Sequence, residues 1–203
     1  GKGLHIEETE LATISNVVIM NNGTDKSLNS AGLEGINSVL SVSAAYIGSN
    51  NGAGLILSNS SLSVSDAGQQ GPFDVNSEDG LSIIHPQFMP NLSIENNSGG
   101  GILAKDLLQI SNTGKQDSPF GNGIMLNETL ISDNTLFGIK TSCGNLTIND
   151  SVLRNTVESA LGAGGAGLVI DTGNACESST STVFMNSGSI INSNEGAGVV
   201  ISN

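Results

Sequence analysis

The chain has little of what normally fills a protein core. Aromatics make up 3% of its 203 residues, as one Tyr, five Phe and no Trp. A two-layer domain leans on such large side chains for buried area. Their scarcity excludes a thick core and leaves a thin one of small aliphatics. Bases are also scarce: six Lys and Arg stand against nineteen Asp and Glu, a formal net charge of −13. Nucleic acid needs clustered cations for its phosphates, and anionic lipid surfaces need the same. Neither is expected as a partner. No apolar run reaches the roughly 18 residues that suggest a membrane-spanning helix, so membrane insertion of this segment is not expected either. There are two cysteines, Cys143 and Cys176.

What the chain does have is glycine, asparagine, serine and a recurring phrase. Gly followed by an aliphatic residue, usually with a second aliphatic two places on, appears as GLHI (3–6), GLIL (54–57), GLSI (80–83), GILA (101–104), GIML (123–126), GIKT (138–141), GLVI (167–170) and GVVI (198–201), with a weaker GLEGI at 32–36. The intervals are irregular and cluster near 22 residues. An Asn stands four places ahead of the Gly at Asn50, Asn76, Asn97, Asn134 and Asn194. Aliphatic steps precede several of these, as in YIGSN (46–50), LISDN (130–134) and IINSN (190–194). Between phrases run alternating pieces: LSVS (62–65), LSIE (92–95), LQIS (108–111) and LTIN (146–149).

Alternation over three to five residues marks strands with one buried face. Ser, Asn, Thr and Gly disfavour helix interiors. The corners lack regularly placed two-residue hairpin turns, so the strands are expected to wind rather than fold back. Each repeat then forms one circuit of three short strands, and like strands stack in parallel ladders. Asn and Gly suit sharp corners because they tolerate left-handed backbone. The corner residues Asn50, Asn76, Asn97, Asn134 and Asn194 are expected to superpose as a hydrogen-bonded amide ladder.

This pattern resembles the right-handed parallel β-helix repeat. That architecture is seen in pectate-lyase-like enzymes, phage tailspikes, and the passengers of autotransporters and chlamydial polymorphic membrane proteins. The resemblance implies an all-β solenoid of about eight to nine turns with irregular loop inserts. It extends over 1–203 as one segment, expected to be internal to a longer protein. The chlamydial GGA[ILV] and FxxN motifs are absent.

Catalysis finds little support. The polygalacturonase-like motifs NTD, DD, GHG and RIK do not occur. Arg154 is the only arginine and is read as a surface charge at a strand end. Tyr46 and Phe184 are read as core. His5 and His85 have no metal-ligand spacing around them. Asp74, Asn76 and Glu78 alternate as oxygen ligands do at the start of a calcium loop, but Gly80 falls one place late and His85 stands where the bidentate Glu should be. They form a weak calcium candidate; no other cofactor is expected. Cys143 and Cys176 lie five and nine residues after the glycines of neighbouring repeats, and a disulfide between them would fit an oxidising compartment. The expected function is a non-enzymatic extracellular or cell-surface rod: a stalk, adhesin passenger or filament subunit. Its partner would be a glycan, a host or cell-surface protein, or further copies of itself. The alternative is a carbohydrate-active or glycan-binding β-helix.

Overall fold

A computed structural model describes residues 1–23, 30–65, 91–105, 123–142, 144–158, 164–171, 182–186 and 188–202. Among them every regular element is a strand, and every pairing between named strands is parallel. In chain order the strands are β1 (Lys2–Glu7), β2 (Ala12–Met20), β3 (Ala31–Ile36), β4 (Val39–Gly48), β5 (Ala53–Ser58), β6 (Ser61–Val64), β7 (Leu92–Glu95), β8 (Ile102–Lys105), β9 (Ile124–Asn127), β10 (Thr129–Ser132), β11 (Phe137–Ser142), β12 (Asn145–Asn149), β13 (Val152–Arg154), β14 (Ala166–Asp171), β15 (Thr182–Met185), β16 (Ile190–Asn192) and β17 (Val199–Ser202).

They form two sheets. The seven-stranded sheet runs β1-β3-β5-β8-β11-β14-β17. In the ten-stranded sheet the long strands β2 and β4 join two ladders side by side. The first halves of β2 and β4 lead to β6, β9, β12 and β15; their second halves lead to β7, β10, β13 and β16. The chain therefore visits three parallel ladders in a repeating order.

Register puts like residues in columns. In the seven-stranded sheet Leu4, Leu33, Leu55, Ile102, Ile139, Leu168 and Val199 align. In the first ladder of the larger sheet Ala12, Leu40, Leu62, Ile124, Leu146 and Val183 align. In the second, Ile19, Ile47, Ile94, Ile131, Leu153 and Ile191 align. These columns meet in one apolar cluster that includes Leu33, Leu55, Leu40, Leu62, Ile47 and Ile94, all buried. Side chains two places apart share a strand face, which is why the aliphatic-x-aliphatic phrase supplies two core residues per strand.

Among the described residues the seven-stranded sheet has seven strands, and β5 pairs β8 directly. Two sequence expectations change. GIML (123–126) is not a first strand: β9 lies between β6 and β12 in the larger sheet. Its Gly123 has φ +100 and serves a left-handed corner, and Pro119, not Asn, stands four places before it. LSIE (92–95) likewise belongs with YIG of β4 and LIS of β10 rather than with LSVS.

Candidate functional site

The corners are built from single residues in the left-handed region. Glu8, Asn37 and Asn59 follow the seven-stranded sheet; Asn16, Ala44, Glu128 and Asp150 separate the two ladders of the larger sheet; Asn21, Ser49, Asn96, Asp133, Asn155 and Ser193 lead back. One such residue redirects the chain without the length of a hairpin, and short polar side chains tolerate it best.

The residue after each corner of the last group points inward and stacks. Asn22 donates its backbone N–H and Nδ2 to Asn50 Oδ1 at 2.9 and 3.1 Å. Asn50 does the same to Asn97 at 3.1 and 2.9 Å, and Asn97 to Asn134 at 3.0 and 2.9 Å. Nδ2 of Asn134 also reaches back to the Ile94 carbonyl at 2.9 Å. Thr156 takes the next place, and its N–H donates to Asn194 Oδ1 at 3.0 Å. Asn50, Asn97 and Asn134 are thus brought together directly, whereas Asn194 accepts only the Thr156 backbone N–H and Thr156 Oγ1 has no partner. Asn22 is a further member; VIMNN (18–22) has the form of the other aliphatic steps, but Gly32 stands ten positions on, so the Asn-x-x-x-Gly spacing does not mark it. Asn76 lies outside the described residues, and Asn50 bonds Asn97 with nothing between them.

The column explains the glycines. Gly3, Gly32, Gly54, Gly101, Gly138, Gly167 and Gly198 align one residue before the aliphatic column. A Cβ on Gly32 would stand 2.6 Å from Asn50 Nδ2 and 2.9 Å from the Gly54 carbonyl oxygen. One on Gly167 would stand 2.7 Å from Asn194 Nδ2 and 2.9 Å from the Gly198 oxygen. Glycine is required there by close approach, not by backbone angle.

A second polar group lies on the outward face of the larger sheet. Glu95, Ser132 and Arg154 are neighbours along one column, with Ser93 two places before Glu95 and Asp133 beside Ser132. Glu95 is only 2% exposed and accepts a short hydrogen bond from Ser93 Oγ. Burial pushes its carboxyl above the usual range, with Asp133 adding to the rise, while the Ser93 and Ser132 hydroxyls and Arg154 oppose it. Burial and the Glu95 charge likewise push the Tyr46 phenol up. Arg154 does end a strand but is buried, not a surface charge. Tyr46 alternates outward from the core, and Phe184 is 58% exposed, so neither is a core residue. Sequence gave no sign of this group: Glu95 in LSIE reads as a solvent-facing strand position.

A smaller cluster sits on the outer face of the first rungs. Glu34 accepts Lys2 Nζ at 2.5 Å and His5 Nδ1 at 2.6 Å, and His5 Nε2 faces Glu7 at 3.3 Å. Among the described residues no set of three His, Cys, Asp or Glu side chains is arranged to hold a metal ion. The calcium candidate Asp74, Asn76 and Glu78 and the cysteines Cys143 and Cys176 lie outside the described residues. Comparison with known proteins found no protein family, no curated protein and no solved structure that matches this chain.

Proposed function

We propose that the chain is a right-handed parallel β-helix acting as an extracellular structural or adhesive rod without catalysis. The observation that carries this reading is the continuity of three parallel ladders whose core and glycine columns persist from rung to rung, with an amide column broken once, at Thr156. Parallel strands joined by crossovers are right-handed in about 98% of cases, which gives the hand. Each rung contacts only its neighbours, so extra rungs lengthen the body without enlarging its core. That is what a stalk or passenger needs. The acidic composition keeps such a surface soluble. Candidate partners are a glycan, a cell-surface protein or further copies of the chain.

The test has two arms. A crystal structure of the purified chain should show the three parallel ladders joined by right-handed crossovers, and a screen of polyuronides and neutral glycans should give no turnover. Turnover of any glycan would overturn the non-catalytic reading.

A further inference from the structure

The inward amide column changes its chemistry at one rung in its interior. In the regular pattern a member's backbone N–H and Nδ2 both donate to Oδ1 of the next member, and the other Nδ2 hydrogen reaches back to an Ile carbonyl. Asn97 makes all three bonds, to Asn134 Oδ1 at 3.0 and 2.9 Å and to the Ile47 carbonyl at 3.3 Å. Of the same three, Asn134 makes the backward one, to the Ile94 carbonyl at 2.9 Å. The next member is Thr156, whose Oγ1 has no hydrogen-bond partner, so neither forward donor of Asn134 reaches it. Both residues are 0% exposed. Thr156 lies between β13 and β14, with a rung on either side.

The rungs do not close up to meet the shorter side chain. The residue after each member donates its N–H to the preceding member's carbonyl: Asn51 to Asn22 at 2.9 Å, Ser98 to Asn50 at 3.0 Å and Thr135 to Asn97 at 2.9 Å. Val157 donates to Asn134 at the same 2.9 Å. A carboxamide has one heavy atom more than the hydroxyl and methyl of Thr. A Cβ on Gly32, Gly54, Gly101 or Gly167 would stand 2.6 to 3.2 Å from the Nδ2 of the column, whereas one on Gly138 would stand 3.4 Å from Thr156 Oγ1. Two N–H donors and one hydroxyl therefore face the position that an amide oxygen holds elsewhere in the column. Buried polar groups without partners are costly, and interior waters serve such groups with about three hydrogen bonds each.

We infer that one ordered water molecule is bound at this junction, in the position of the amide oxygen. It accepts the Asn134 N–H and Nδ2 and donates to Thr156 Oγ1. Two N–H donors disfavour a cation there, and a site of one heavy atom admits no polyatomic anion. An apolar occupant would leave both donors stranded. The inference goes beyond the rod reading and does not depend on it.

The experiment is a crystal structure of the 203-residue chain and of Thr156→Asn, beside the urea midpoint of Thr156→Val. The wild-type structure should show one water at about 2.7–3.2 Å from Asn134 N, Asn134 Nδ2 and Thr156 Oγ1. Thr156→Asn should expel it, with the introduced oxygen accepting both Asn134 donors. Thr156→Val keeps the shape and removes the hydroxyl. With the water bonded to that hydroxyl, the change should lower the midpoint; a hydroxyl with no partner would make it neutral or stabilising. A wild-type structure without the water overturns the inference. So does a water retained beside the new amide in Thr156→Asn, or a Thr156→Val midpoint equal to or above that of the wild type.

Discussion

Replacing Asn97 with Ala isolates the amide column. Asn97 is 0% exposed, and its side chain makes four hydrogen bonds. Its Oδ1 accepts the Asn50 N–H and Nδ2, at 3.1 and 2.9 Å. Its Nδ2 donates to Asn134 Oδ1 at 2.9 Å and the Ile47 carbonyl at 3.3 Å. Asn134 Oδ1 keeps the Asn97 N–H, at 3.0 Å, so it is not stranded. Asn50 Nδ2 keeps a weak contact to the Ile19 carbonyl at 3.4 Å. The Asn50 N–H and one Nδ2 hydrogen lose their acceptor in a site closed to water. At about 1–3 kcal/mol for each stranded buried donor, the loss is about 4 kcal/mol. That is a large part of the roughly 5–15 kcal/mol that holds a domain together. For a chain of this length it corresponds to a fall in Tm of about 8–16 °C. Urea unfolding followed by circular dichroism measures it directly. Asn51→Ala is the comparison, since Asn51 is exposed and its Nδ2 makes one bond, to the Gly23 carbonyl at 2.9 Å. A loss below about 1 kcal/mol for Asn97→Ala, or a loss equal to that of Asn51→Ala, would refute the reasoning.

Other perturbations probe the same framework. Thr156→Asn should raise stability by about 1 kcal/mol, because Thr156 Oγ1 is buried without a partner and an amide would restore the column between Asn134 and Asn194; a denaturation midpoint that stays or falls speaks against it. Gly138→Ala should cost about 2 kcal/mol or more, since its Cβ would stand 2.5 Å from the Gly167 carbonyl oxygen. Gly198→Ala should be silent in the same melt, with its nearest neighbour at 3.7 Å. Glu95 has a folded-state carboxyl raised above its unfolded value, so its contribution is present below the unfolded value and is lost as pH rises through the raised one. Glu95→Gln should therefore be more stable than the wild type at neutral pH, and the difference should shrink as the solution is made mildly acidic. A pH-independent difference in urea midpoints would contradict the burial argument.

Much of the framework was legible because each rung repeats the same demands. The Gly-aliphatic phrase marks the seven-stranded sheet because Gly answers a close contact and the aliphatics answer the core. The Asn four places earlier marks the inward amide. The phrase failed at Gly123, where glycine answers a positive φ and no Asn precedes it. LSIE and LSVS share a pattern but occupy different ladders, because both ladders ask for the same alternation. Sequence alone cannot say which ladder a strand joins when its only signal is a period of two. Corner duties were also merged in the sequence reading. The structure divides them between neighbours, with Ser49, Asn96 and Asp133 making the bend and Asn50, Asn97 and Asn134 making the bonds. The Glu95 group stayed hidden because its members, Ser93, Glu95, Ser132 and Arg154, come from three strands spread over 62 positions of sequence. Nothing in their local context distinguishes a covered outer face from an open one.

The aligned residues Leu33 and Leu55 are 22 positions apart, while the equally aligned Leu55 and Ile102 are 47 apart. Adjacent rungs fit equally well in both cases. What the architecture conserves is the outline of a slice, not the amount of polypeptide needed to draw it. A lineage of such chains can therefore lengthen its excursions freely, provided each one returns to the same point on the perimeter, and new surface can be tried without reopening the question of how the body stands up.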